Sequence, residues 1–81
     1  MGKVVRFSQS ARKHRIGRLH ALFVINLYEP LIDVDDPDRK MWVGADSRGR
    51  ELEVIGIELE EYLLVIHVMP TRRVKGYGKE N

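Results

Sequence analysis

Arg12, Lys13, His14 and Arg15 are consecutive, so three cations flank or adjoin one imidazole, and Gly17 comes shortly after. Imidazole exchanges a proton near neutral pH, while ammonium and guanidinium groups neutralise phosphate oxygens. The string SARKHRIG therefore reads in two ways. It is either a grip on phosphate or the solvated face of a short helix whose cations favour the C-terminal end of its dipole. The other two histidines sit in apolar company. His20 lies in an otherwise apolar helical stretch and reads as structural. His67, among Leu63, Val65 and Met69, reads as a hydrogen-bonded histidine on a buried face; its place near a strand end keeps it as a secondary candidate. Glu53, on the polar side of an alternating strand, is another secondary candidate for proton transfer.

Trp42, bordered by Met41 and Val43, reads as a core anchor rather than a base-stacking platform. The acidic run DVDDPD, Asp33 to Asp38, lacks the glycine and distant glutamate of a calcium loop and reads as a solvated turn. GYG near the C-terminal end is too short to cradle phosphate. No metal site and no cofactor are expected.

These residues must be positioned by a single domain spanning 1–81, since the chain is long enough for one modest core and no more. The absence of cysteine excludes a disulfide framework, thiolate metal sites and thiol nucleophiles, and fits a reducing cytoplasm. No apolar run approaches the roughly 20 residues that span a bilayer, and MGKVVRFSQSARKHR lacks the apolar core of a signal peptide. Contact with a membrane is not expected. The net charge of +2 hides a segregation: +6 over residues 1–20, −7 over 21–61 and +3 over 62–81. If the two basic ends meet in the fold, they form the cationic surface that a polyanion needs.

KVVRF, Lys3 to Phe7, is β-rich and predicts a first strand or extended arm, with Ser8 or Ser10 capping the helix after it. Gln9 to His14 predicts a short helix, Gly17 its stop or a joint, and Arg18 to Leu27 a second, largely buried helix that Pro30 prevents from continuing through Glu29. After the acidic loop come RKMWVGA, a tight DSRG turn with Gly49 at positive φ, RELEVIGIELE and YLLVIHVM, an antiparallel meander. The alternation in the middle strand slips at Ile55 and Gly56, which predicts a bulge near Gly56. Residues 71–81 form a basic tail, partly disordered in isolation. The expected fold is α+β, a short N-terminal helix pair packed on a twisted antiparallel sheet of three to four strands.

Three strings in this order resemble the BrnT family of bacterial type II toxins, small ribonucleases of RelE-like fold. SARKHRI is similar to the family's Ala-Lys-His-Gly segment, NLYEP to the Phe-Asp-Asp-Pro end of its second helix, and WVGADSRGRELEVIGIE to its Trp-centred strand, Arg-Gly-Arg turn and next strand. The resemblance covers nearly the whole chain and rests on order and spacing. It implies catalytic roles for Lys13, His14 and the turn arginine, Arg50. The family's Ala-Arg-Arg-Ala-Thr stretch after the last strand is replaced by VMPTRR, which puts Arg72 in the place of the remaining catalytic arginine a few residues late.

The reaction so implied is metal-independent RNA cleavage. It needs a base for the 2′-hydroxyl proton, an acid for the departing 5′-oxygen, and cations for the phosphate. Arg12, Arg15, Arg18, Arg73 and Lys75 are then the expected RNA contacts. The implied partners are RNA and a cognate antitoxin protein, in a homo-oligomer or a toxin–antitoxin hetero-oligomer, in the cytoplasm. Two rival readings remain on the same scaffold: a non-catalytic nucleic-acid- or protein-binding adaptor, and a structural subunit whose charges serve protein contacts alone.

Overall fold

From Glu51 to Glu58, Leu52, Val54 and Gly56 are buried while the residues between them are only half-buried, the period of two that a strand covered on one face requires. The computed structural model describes residues 4–71, in which one α-helix and a five-stranded mixed sheet form an α+β domain. The strands are β1 (Val4–Phe7), β2 (Leu31–Asp33), β3 (Asp36–Ala45), β4 (Glu51–Glu58) and β5 (Tyr62–Pro70), in the order β1-β5-β4-β3-β2. Strands β2 to β5 are an antiparallel meander. Strand β1 joins its far side, parallel to β5, with Val4 opposite Tyr62 and Phe7 opposite Val65.

Helix α1 (Arg18–Leu27) lies across one face of the sheet and buries Ala21 and Val24, three residues apart and so on one side of the helix. They close on Trp42, Leu52, Val54, Leu63, Val65 and Val68. Each fully buried Leu or Val contributes about 1.5–3 kcal/mol, so this one-sided layer carries the stability of the domain. At the end of α1, the ring of Tyr28 takes the space that a Cβ on Gly44 would fill, and its hydroxyl accepts the Ala45 N–H at 3.1 Å. This contact fastens the helix to β3.

Several expectations change. The segment expected as a first helix, Gln9 to His14, is a single 3-10 turn at Ser10–Arg12. Six residues are too few to repay helix nucleation, and Arg15 at φ 58° sends the chain away. Gln9, not Ser8 or Ser10, holds the N-cap position and makes no side-chain cap bond; Ser8, one residue before it, accepts the Ala11 N–H on its hydroxyl at 3.3 Å. The sheet has five strands, not three to four, and is mixed, not antiparallel. The acidic stretch expected as a loop belongs largely to a β2–β3 hairpin, in which Asp33 Oδ1 accepts the Asp35 N–H at 2.9 Å. Strand β2 is short and exposed throughout, so no alternation marks it. Helix α1 is less buried than its apolar composition suggests, because Leu19, Phe23 and Leu27 form an exposed stripe along it.

The bulge falls where expected, between Ile55 and Gly56, but the extra residue is Ile66 on the facing strand. That insertion reverses the facing of everything after it. Leu63 and Val65 point into the core, and the next core residue is Val68. His67, paired with Ile55, therefore lies on the opposite face and half-buried, not on the buried face with Leu63 and Val65. Trp42 is buried in the core. Of the basic tail expected at 71–81, all but Thr71 lies outside the described residues.

Candidate functional site

The cations gather at one end of the sheet because the register brings several element ends together there. Ala45 closes β3 opposite Glu51, which opens β4, and Leu52 pairs with Pro70 at the end of β5. The Thr71 N–H donates to the Glu51 carbonyl at 3.1 Å, extending the ladder by one step. The first turn of α1 reaches the same end, where His20 Nδ1 stands 3.5 Å from Asp46 Oδ2.

Arg12 to Arg15 arrive there because the 3-10 turn is tied to the bulge. Ser8 N–H continues the β1–β5 ladder to the Val65 carbonyl at 2.9 Å, and the Ser10 hydroxyl donates to the Ile66 carbonyl at 2.8 Å. Ala11, between them, is buried in the core. Arg12, Lys13, His14 and Arg15 are thereby left exposed just beyond the anchor. The bulge turns His67 outward to meet them, and the two imidazoles stand edge to face with ring centroids 6.5 Å apart and planes at 76°. Residues from opposite ends of the chain thus form one pair.

Around that pair the other candidates are distributed unevenly. Glu53 lies opposite Met69 on the same outer face as His67, one diagonal step away, a spacing of about 7–8 Å in an antiparallel ladder. Arg18 is exposed, with its guanidinium over the Phe7 ring at 5.3 Å. Arg50 is exposed on the β3–β4 turn at the same end, but no hydrogen bond, ion pair or ring contact joins it to either histidine among the described residues. Arg72, Arg73 and Lys75 lie outside the described residues.

The residue that sequence reasoning passed over is Asp46. Its carboxylate is inaccessible to solvent and accepts the backbone N–H groups of Arg48 and Arg50, both at 2.9 Å, together with the Arg48 guanidinium at 3.1 Å. Burial alone pushes this carboxyl up, but the backbone donors of Arg50 and Arg48 and the Arg48 charge outweigh it, so the pKa is held below the ordinary aspartate value. Gly49 at φ 84° completes the turn. The signal was present in DSRG, since aspartate opening a turn bonds backbone donors further along. Asp46 thus fixes where Arg48 and Arg50 project. His20 Nδ1, buried against this carboxylate, makes no hydrogen bond of its own.

The charge pattern has a counterpart at the other end of the sheet. Asp33, Asp35, Asp36 and Asp38 crowd the β2–β3 hairpin, and Glu58, Glu60 and Glu61 the β4–β5 turn, which the Arg39–Ile57 pairing brings to the same end. No group of three or more His, Asp or Glu side chains among the described residues could hold a metal ion. No described helix is long and apolar enough to cross a membrane. Compared with known proteins, the chain matches no family model, no curated protein and no solved structure.

Proposed function

We propose that the protein is the toxin of a bacterial type II toxin–antitoxin pair and cleaves RNA without a metal, as its resemblance to the BrnT family implies. In this reading the α+β scaffold is RelE-like and the site of action cytoplasmic. The observation that carries it is the His14–His67 pair beside an exposed run of cations. A neutral imidazole takes the proton of the 2′-hydroxyl, and that oxygen attacks phosphorus. The bond to the 5′-oxygen breaks, and the second imidazole, protonated, gives that oxygen its proton. The products are a 2′,3′-cyclic phosphate and a free 5′-hydroxyl. Arg12, Lys13 and Arg15 stabilise the charge that develops on phosphate, and Arg50 and Arg72 hold the roles that the family likeness assigns them. An antitoxin presenting carboxylates would neutralise the same cations.

The test is end-labelled RNA incubated with the protein in EDTA, beside folded His14→Ala, His67→Ala and Lys13→Ala variants. Cleavage should fall about 100- to 10,000-fold for either histidine, and the fragments should carry cyclic phosphate ends. Full cleavage by a histidine variant removes that residue from the site. The adaptor reading is favoured by a separate observation, the exposed Leu19, Phe23 and Leu27 stripe, which suits a protein partner. It predicts salt-sensitive binding of RNA that stays intact.

A further inference from the structure

One face of the sheet is covered by α1 and the 3-10 turn; no described element covers the other, which His14 meets at His67. Cross-strand pairing places Met41 beside Ile55, Val43 beside Glu53 and Ile57 beside Leu64 on that open face, all half-buried at most. Leu31, opposite Met41, extends it at the β2 edge with 60% of its surface exposed. None of these residues packs against the core. The patch of Met41, Val43, Ile55, Ile57 and Leu64 between the rings of His67 and Tyr62 offers no flat surface for nucleobases to stack on, so that patch suits protein.

Its few charges are ordered along the strands. Glu53 lies towards the cationic end of the sheet, whereas Arg39, paired with Ile57, and Arg6, paired with Leu64, lie towards the acidic end. Glu53 and Arg39 make no ion pair among the described residues, and Arg6 rests on the Tyr62 ring at 4.9 Å. We propose that this face is the seam of a homodimer, in which two copies pack face to face with their strands antiparallel.

A two-fold axis in the plane of the face and across the strands sets the aliphatic middle rows on each other. Sheets so packed lie about 10 Å apart. The same rotation lays Glu53 of each copy beside Arg39 of the other and sets each cationic end against an acidic one. An axis along the strands would instead oppose Glu53 to Glu53 and Arg39 to Arg39, which costs association. The contact is isologous, so it closes at two copies. It does not depend on the nuclease reading, but it bears on it. His67 and Glu53 lie on the seam, so dimerisation and access of RNA compete.

Sedimentation velocity of the full chain across a concentration series tests this, with circular dichroism to confirm folding. The wild type should associate to a dimer. Arg39→Glu and Glu53→Arg should each weaken association about 10- to 100-fold, and the two together should restore it by exchanging the pair. Phe23→Glu, on the helix stripe, should leave the dimer intact. A chain monomeric at every concentration overturns the proposal, and so does a dimer that both charge reversals leave unchanged or that Phe23→Glu abolishes.

Discussion

The two ends of the sheet use aspartate in opposite ways. At one end Asp46 is buried and its charge is spent on backbone donors and Arg48, so the exposed groups that remain, Arg12, Lys13, Arg15 and Arg50, are cationic. At the other, Asp33, Asp35, Asp36 and Asp38 are all exposed, and the nearby cation Lys40 is drawn to Glu58 and the Pro37 carbonyl. The contrast teaches that burying one carboxylate and exposing several others makes a polar molecule from a nearly neutral chain. A field of that kind steers charged partners.

The largest effect that could break this contrast is on cleavage itself. On the nuclease reading proposed above, His14→Ala and His67→Ala at the cationic end should each lower the rate about 100- to 10,000-fold, while Asp35→Asn at the acidic end should leave it within a few-fold of wild type. Thermal melting gives the next test. Asp46→Ala orphans two backbone donors and the Arg48 guanidinium and should lower Tm clearly, whereas Asp35→Ala, an exposed turn residue, should change stability by no more than about 0.5 kcal/mol.

Acid sharpens the comparison further. Because the folded pKa of Asp46 lies below its unfolded value, its stabilisation is complete above the unfolded value and is lost as pH falls through the folded one. Melting temperatures should therefore fall below about pH 4, and Asp46→Asn should flatten that part of the curve. The smallest effect is at the opposite end. Lys40→Met removes a partly exposed ion pair with Glu58 and should cost about 0.2–1 kcal/mol, less in high salt.

What the sequence revealed depended on whether a feature was local. Helix α1 was legible over Arg18–Leu27 because apolar spacing and Pro30 bound it, and the Gly49 turn because positive φ favours glycine. The 3-10 turn at Ser10 was misread as a helix because capping serines and helix-tolerant residues announce both alike. Strand β2 carried no pattern, having no buried side. The facing of His67 was hidden by LLVIHVM, apolar on both faces, in which a bulge at Ile66 shifts the phase without disturbing composition. Of the candidate site, the cations and His14 were visible as types. Their meeting with His67 was not, because it rests on a pairing between the first and last strands.

That pairing ties assembly to the direction of synthesis. Strand β1 leaves the ribosome before the other described strands, yet among the described residues its one neighbour in the sheet is β5, the last of them. Until β5 is made, β1 has nothing to pair with, the Ser10 hydroxyl lacks its acceptor at Ile66, and His14 faces no second imidazole. Closing so long a loop is slow compared with forming the meander between. A growing chain is therefore without its paired histidines until β5 has been made, and a message cut short before β5 yields a fragment lacking both the core strand and the histidine pair.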